Sequence, residues 1–402
     1  MKNNIFLMLV GLMVGIVNAD EIGDSIEEHF KKNYSYSVQV GTQYTQGYYE
    51  NNGVNGKNNF QSLYAYLGFE GLEFERLRFG LNLMGSVKLG KSGNIYSQDI
   101  GANAILYQGF LGYTSQYFDL SAGREELDLE WVNDYVEGAR FAVKIPQAST
   151  EIKAFWFYRQ AVADYNEITQ FEDNRIGHTI IAGISNNSYE PLLVEAYFIN
   201  VDSVTKYADE DSIPSFNGAW VGANLNFGND FIASSTSVKY TYLNSKLAHL
   251  LDLHFLQVEE NLDFSFLDYH NLGFQIGIMK VFNKNNDKNV VTLNALGDQR
   301  PLEQGDSYLY LTNALSVYFG INYEFADWLE IAFAYGNTSK AKEGGAKISP
   351  INEIDLSLTG KYAGLEAGFV YSKLLGNSNF NGNDSKIKLN QDYFEAFIAY
   401  NF

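Results

Sequence analysis

The chain has no cysteine, only five prolines, and far fewer bases than acids. Without cysteine, disulfides and thiolate metal sites are both excluded. The prolines at 146, 191, 214, 301 and 350 fall where turns or loops are expected. Long strands would otherwise lose ladder donors. Lys and Arg number 28 against 48 Asp and Glu, a net charge of −20 over 402 residues. A surface so poor in bases argues against nucleic acid, whose phosphates need a basic partner. The apolar spacing of a long amphipathic helix is also missing. Residues 20–32, "DEIGDSIEEHFKK", are the one fair helix candidate, a short periplasmic segment ending near 33.

Long apolar runs are absent too, apart from Ile5–Val17. That run follows Lys2 and precedes Val17-Asn18-Ala19, the layout of a secretory signal with a small-residue cleavage site. It is short for a spanning helix, which needs about 20 apolar residues. Residues 1–19 are therefore expected to be cleaved. Loss of Lys2 takes the net charge from −20 to −21.

Alternation is what the chain has in abundance. Leu315, Val317, Phe319, Ile321, Tyr323 and Phe325 are apolar, while Ser316, Gly320, Asn322 and Glu324 lie between them. After Ala326-Asp327-Trp328 the pattern resumes with Leu329, Ile331, Phe333 and Tyr335. Leu77, Phe79, Leu81, Leu83, Val87 and Leu89 alternate in the same way with Arg76, Arg78, Gly80, Asn82, Ser86 and Lys88. A period of two puts each set on its own face of a strand. The runs are mostly 10–14 residues, long for a soluble sandwich but suited to a tilted membrane span. The 29 Tyr and 29 Phe suit aromatic belts at a membrane interface. Short turns such as 71–75, 115–119 and 325–329 alternate with long polar stretches such as 50–59, 91–99, 202–215, 283–289 and 374–386. The final strand puts Phe394, Ala396, Ile398, Tyr400 and Phe402 on one face.

These features predict an all-β fold, a transmembrane antiparallel β-barrel over 34–402. It should have 16–18 strands, 18 favoured, with short periplasmic turns and long outer loops. Eighteen runs can be marked, among them 136–145, 150–164, 247–259, 307–325 and 363–374; the stretch 259–312 is poorly periodic.

"VQVGTQYTQGYYENN", "QSLYAYLGFEGLEFERLRFGLNLMGSVKLG" and "LSAGREELDLEWVNDYVEGARF" resemble the OprD-like family of outer-membrane porins. The wording is recognisable in the first 150 or so residues; the pattern continues through the mature chain. The resemblance implies an 18-stranded barrel, often a homotrimer, with a basic lumen ladder facing an acidic constriction loop. Gly123-Arg124 would lead into that loop and Tyr135-Val136-Glu137-Gly138 would return from it. It also implies that the barrel-assembly machinery reads the final strand through Phe394, Ile398, Tyr400 and Phe402. Arginines are few compared with the amino-acid-specific members, so substrate choice does not carry over.

Parity places the charges. Opposite the apolar sets, Arg76, Arg78, Lys88, Arg140, Lys144, Lys153 and Arg159 should line the pore as a basic wall, since Arg or Lys in mid-membrane costs about 2–4 kcal/mol. Arg124 shares parity with Leu120 and Ala122, so it belongs at a strand end or after a bulge. Glu125, Glu126, Asp128, Glu130, Asp134 and Glu137 lie between a strand and its return. They form either a solvated acidic loop or a loop folded into the pore near 125–137, anchored by Trp131 and Tyr135. His178, His249, His254 and His270 show no metal spacing. The acidic stretches 209–212 and 381–384 lack an EF-hand pattern. No metal or cofactor is expected.

The function expected is passive diffusion of small hydrophilic solutes with a mild cation preference. The expected partners are outer-membrane lipid, lipopolysaccharide and small solutes. The alternatives are a channel specific for small amino acids or carboxylates and an adhesin-like barrel with a plugged lumen. A barrel hydrolase would need a nucleophile beside a base, and no spacing joins Ser to His.

Overall fold

The computed structural model describes residues 34–51, 54–74, 76–92, 104–127, 129, 132, 135–161, 163, 178–202, 215–229, 231–245, 253–266, 270–283, 311–326, 328–343, 346–347, 349–378 and 387–402. Segments 1–19 and 20–33, given above as signal and periplasmic segment, lie outside them, as do Asp128, Glu130, Trp131 and Asp134.

The strands are β1 (Tyr34–Asn51), β2 (Val54–Phe74), β3 (Leu77–Ser92), β4 (Ala104–Thr114), β5 (Phe118–Glu126), β6 (Tyr135–Ile145), β7 (Thr150–Ala161), β8 (Thr179–Tyr189), β9 (Leu192–Val201) and β10 (Phe216–Gly228). They continue with β11 (Ile232–Ser245), β12 (Leu253–Phe266), β13 (His270–Asn283), β14 (Leu315–Phe325) and β15 (Leu329–Ser339). A two-residue hairpin, β16 (Lys342–Glu343) and β17 (Ala346–Lys347), precedes β18 (Ile351–Tyr362), β19 (Leu365–Ser378) and β20 (Ile387–Asn401). Apart from that hairpin, each strand pairs antiparallel with the next, and β20 returns to β1, giving one closed sheet of 18 strands. Closure leaves no edge to aggregate or to face lipid unsatisfied. The last strand locks in along Gln39–Glu50, and the Phe402 amide donates to the Val38 carbonyl at 2.9 Å.

Connections at one end take two to four residues, from β2–β3 to β18–β19. At the other end they run from two residues (β1–β2) to 31 (β13–β14). That asymmetry sets the short turns in the periplasm and the long loops outside.

The outward face carries the exposed apolar side chains, such as Leu81, Leu111, Phe141, Ile180, Ile276, Phe319 and Ile398. Rings gather near its periplasmic edge: Phe325 meets Trp328 edge-on at 5.0 Å, and Tyr400 meets Phe402 at 4.8 Å. One carboxylate breaks the pattern. Glu260 pairs with Thr236 and Ile276 on this face, where the Ser234 Oγ donates to it at 2.6 Å and the Thr236 hydroxyl donates as well.

Inside, glycines make room for rings. Gly277 lies between Glu259 and Tyr318 in the ladder, and a Cβ there would sit 2.1 Å from the Tyr318 ring. The ring therefore crosses β13, and its hydroxyl donates to Glu259 at 2.5 Å. Gly183 makes the same space for Tyr197.

The poorly periodic stretch resolves in part. β12 runs on to Phe266, so Glu259-Glu260-Asn261 lies within a strand whose pairing with β11 and β13 overrides its polar sequence. The run marked 247–259 thus becomes 253–266.

Candidate functional site: the lumen walls

Inward-facing positions on β3–β7 carry the bases. Arg78 lies near the start of β3 over the Phe110 ring, 5.4 Å from its centroid. The Arg78 Nη2 donates to Asp119 Oδ1 at 2.9 Å, and the Arg140 Nη2 donates to Asp119 Oδ2 at 3.2 Å. Asp119 takes the inward side because Leu120 and Ala122 take the outward one, so the wall carries its own counter-charge. Lys88 pairs with Ser62 and sits 5.9 Å over Phe60. Lys144 pairs with Glu151, and Lys153 bridges to Glu151 at 3.0 Å.

One base sits elsewhere than alternation placed it, and two more are set by local irregularities of the backbone. Arg76 is not on a strand: it occupies the β2–β3 turn at φ 87° and is exposed, beside the Tyr113 hydroxyl at 3.4 Å. Arg159 follows an irregularity at which Tyr158 drops out of the β6–β7 ladder. The irregularity brings Arg159 opposite Glu137, with Nη1 3.6 Å from its carboxylate. Arg124 follows Gly123, whose φ of 130° and close approach to the Gly109 carbonyl only glycine tolerates. Its Nε donates to Glu137 at 3.0 Å and its Nη1 to the Leu106 carbonyl at 3.0 Å. Glu137 thus accepts from Arg124 and the Tyr158 hydroxyl and faces Arg159.

Of the other loop acids, Glu125 is half-buried and Glu126 exposed. Next to them Leu127 and Val132 are buried at 5% and 0%, in one apolar cluster with Val136, Phe155, Phe157 and Ile181. Phe155 opposes Arg140 on the lumen side, so the tip of the β5–β6 hairpin packs against the inner wall. The cluster continues around the barrel through Ile199, Trp220, Leu243, Phe255, Val281 and Leu374, with Leu311 against it. The lumen face is therefore not wholly polar, as alternation had suggested. Among the described residues its outer half has an apolar girdle, onto which Leu127, Val132 and Leu311 pack.

Acids predominate on the other arc, together with the inward base Lys239 on β11. Glu259 lies on β12. Glu353 and Asp355 lie on β18, exposed by only 2% and 6%, and both accept from the Ser372 hydroxyl. Glu395 lies on β20 and accepts from Tyr393. Counted round the 18 strands, β12 is nine from β3, and β18 is nine from β7. The acidic arc thus stands across the lumen from the basic one, and the signal that finds it is the parity already used for the bases. Among the described residues no group of His, Cys, Asp and Glu could hold a metal ion.

Residues 8–208 match the model of a family described as "Putative outer membrane protein". No curated protein matches the sequence. The fold is similar to OccAB4 of Acinetobacter baumannii (TM-score 0.70, 12% identity, 92% of this chain and 98% of that one). It is also similar to a BenF-like porin of Pseudomonas fluorescens Pf-5 (TM-score 0.69, 12% identity, 92% and 98%). A third similar fold is opdK of Pseudomonas aeruginosa (TM-score 0.64, 12% identity, 92% and 98%). With the closed barrel already in view, the chain belongs to this family of bacterial outer membrane proteins, and its fold is that of the OprD-like porins.

Proposed function

We propose that the barrel is a passive porin for small hydrophilic solutes, in which opposed charged arcs set a transverse field. The observation that carries this reading is the placement of Arg78 on β3 nine strands from Glu259 on β12, and of Lys153 on β7 nine strands from Glu353 and Asp355 on β18, with Arg140 and Lys144 between the two bases. Such a field orients dipolar solutes and filters ions by charge. The hairpin tip at 125–137 narrows the passage, a role supported by the burial of Leu127 and Val132 against the lumen wall. Its acids add to the negative side, and with acidic outer loops at the mouth they give a mild cation preference that fades as salt rises. Homotrimer assembly and delivery by the barrel-assembly machinery belong to the same proposal. The apolar girdle favours a narrower variant of this reading, a channel selective for small amino acids or carboxylates.

Single-channel recording of the refolded protein in a planar bilayer is the test. Discrete conducting steps are expected, with a reversal potential slightly on the cation side in a KCl gradient. A silent bilayer, with the heat-modifiable folded barrel still present on gels, overturns the porin reading.

A further inference from the structure

Lysines gather on the outer rim of β13–β15, in a chain of net charge −20. Lys280 shares the outward side of β13 with Ile276, Ile278 and Phe282, which are exposed by 59%, 44% and 46%. Its Nζ donates to the Asn313 carbonyl at 2.6 Å and lies 5.9 Å over the Phe282 ring. Lys340 ends β15 at φ 59°, is exposed, and is close enough to repel Lys280. Lys342 follows, its amide donating to the Thr312 carbonyl beside Asn313. Among the described residues none of these three lysines has a carboxylate partner, whereas Lys361 and Lys373 pair with Glu366 and Asp392. Like charges held together without a counter-charge are costly unless an anion shares the site.

The ladder places amides beside them. Lys280, Leu315 and Ser339 form one row across the outward face. Ile278, Val317, Asn337 and Asn352 form the next row toward the membrane. The Asn352 Oδ1 accepts from the Tyr335 hydroxyl at 2.9 Å and from the Asn337 Nδ2 at 2.7 Å. Two strand spacings, about 10 Å, separate the strand of Lys280 from that of Asn337, and three, about 14 Å, from that of Asn352. Ammonium groups beside fixed amides, at the level where lipid headgroups meet the barrel, match a sugar that carries phosphate. We propose that Lys280, Lys340, Asn337 and Asn352 form a binding site for the phosphorylated sugar headgroup of outer-leaflet lipopolysaccharide. The lysines take the phosphate and the amides take sugar hydroxyls. This rests on the outer-membrane placement of the barrel and not on its conducting solutes, so a silent channel would leave it standing.

Native mass spectrometry of the refolded full-length barrel in detergent tests it, with diphosphoryl lipid A, fully dephosphorylated lipid A and inorganic phosphate as probes. Retention of diphosphoryl lipid A is expected. The double change Lys280→Gln with Lys340→Gln should weaken it at least about tenfold, the factor a charge-assisted hydrogen bond carries. Dephosphorylated lipid A should bind the unchanged protein no better than diphosphoryl lipid A binds that variant. Asn337→Ala with Asn352→Ala should lower retention of diphosphoryl lipid A while leaving any binding of phosphatidylglycerol unchanged. Lys361→Gln, at the periplasmic end, should leave lipid A retention unchanged. Heat-modifiability on gels checks that each variant is folded. Equal retention by the folded lysine variant, equal retention of dephosphorylated lipid A, or displacement by millimolar inorganic phosphate would each overturn the site.

Discussion

Replacing Asp119 with Asn removes one negative charge from the lumen while keeping the side chain's shape. Arg78 and Arg140 hold that carboxylate at 2.9 and 3.2 Å, and its side chain is only 13% exposed. The three charges sum to +1; in the variant they sum to +2. The fold should survive, because partly exposed ion pairs contribute only about 0–1 kcal/mol each. Phe110 still supports Arg78 from below. At about 8 Å in water one charge is worth about 0.5 kcal/mol to a passing ion, and screening at 0.1 M salt halves that. About 0.25 kcal/mol against cations and for anions changes the permeability ratio roughly twofold, since RT is about 0.6 kcal/mol. The low-dielectric wall can only enlarge the effect. The assay is the reversal potential in a tenfold KCl gradient across a planar bilayer, for wild type and Asp119→Asn. A shift toward anions that shrinks at 1 M salt is expected. No shift, or a shift toward cations, with the barrel intact, would refute the idea that ions pass within reach of this wall.

Glu126→Gln with Asp128→Asn should move the reversal potential toward anions, and Arg140→Gln should move it toward cations; if neither does, segment 125–137 is not in the pore. Gly277→Ala should drive the Tyr318 ring off β13 and break its bond to Glu259, an overpacking cost of about 1–3 kcal/mol. That would be read as a lower temperature of heat modification, and an unchanged midpoint would show that the ring has room to yield. Deleting Phe402, or changing it to Ser, should leave export intact but reduce insertion, because it shortens the strand that closes the barrel on Gln39–Glu50. Normal levels of folded barrel would count against that role.

The barrel was legible in the sequence wherever both faces of a strand kept their character. Leu329–Ser339 begins and ends within a residue or so of where alternation put it, and Leu315–Phe325 ends where the Ala326–Trp328 turn put it, although the run marked 307–325 begins only at Leu315. Legibility failed where the ladder slips. Tyr158 drops out of the β6–β7 register, and this brings Arg159 opposite Glu137. A local pattern cannot announce a slip, because the extra residue is paid for by the neighbouring strand. β12 failed for a related reason. Glu259 and Glu260 are adjacent, so one must face outward, and a parity rule that forbids charge in the membrane reads the pair as loop. The Ser234 and Thr236 hydroxyls offset that cost, and they come from β11, out of sight of any local window.

The site divides along the same line. Parity alone found Arg78, Arg140, Lys144 and Lys153. It would also have found Asp119, Glu353 and Asp355, since Leu120, Ile354 and Leu356 mark the opposite face. What parity lacks is the ring. Only after β20 is seen to pair with β1 does the strand count become an angle, and only then do nine strands become the far wall. Six acids in 125–137 drew attention because they are contiguous. Glu353 and Asp355 lie 200 and 202 residues from Lys153 along the chain, yet closure sets them across the same lumen. Glu137, the loop acid with the most partners, is bound to bases on strands beside it, Arg124 and Arg159. A contiguous acidic run is therefore a poor guide to where a pore is negative. The better guide is the set of inward acids that have no inward base on the neighbouring strand. Glu353 and Asp355 meet this condition: the residues beside them in the ladder are Gly336 and Leu374, and Ala334 and Ser372.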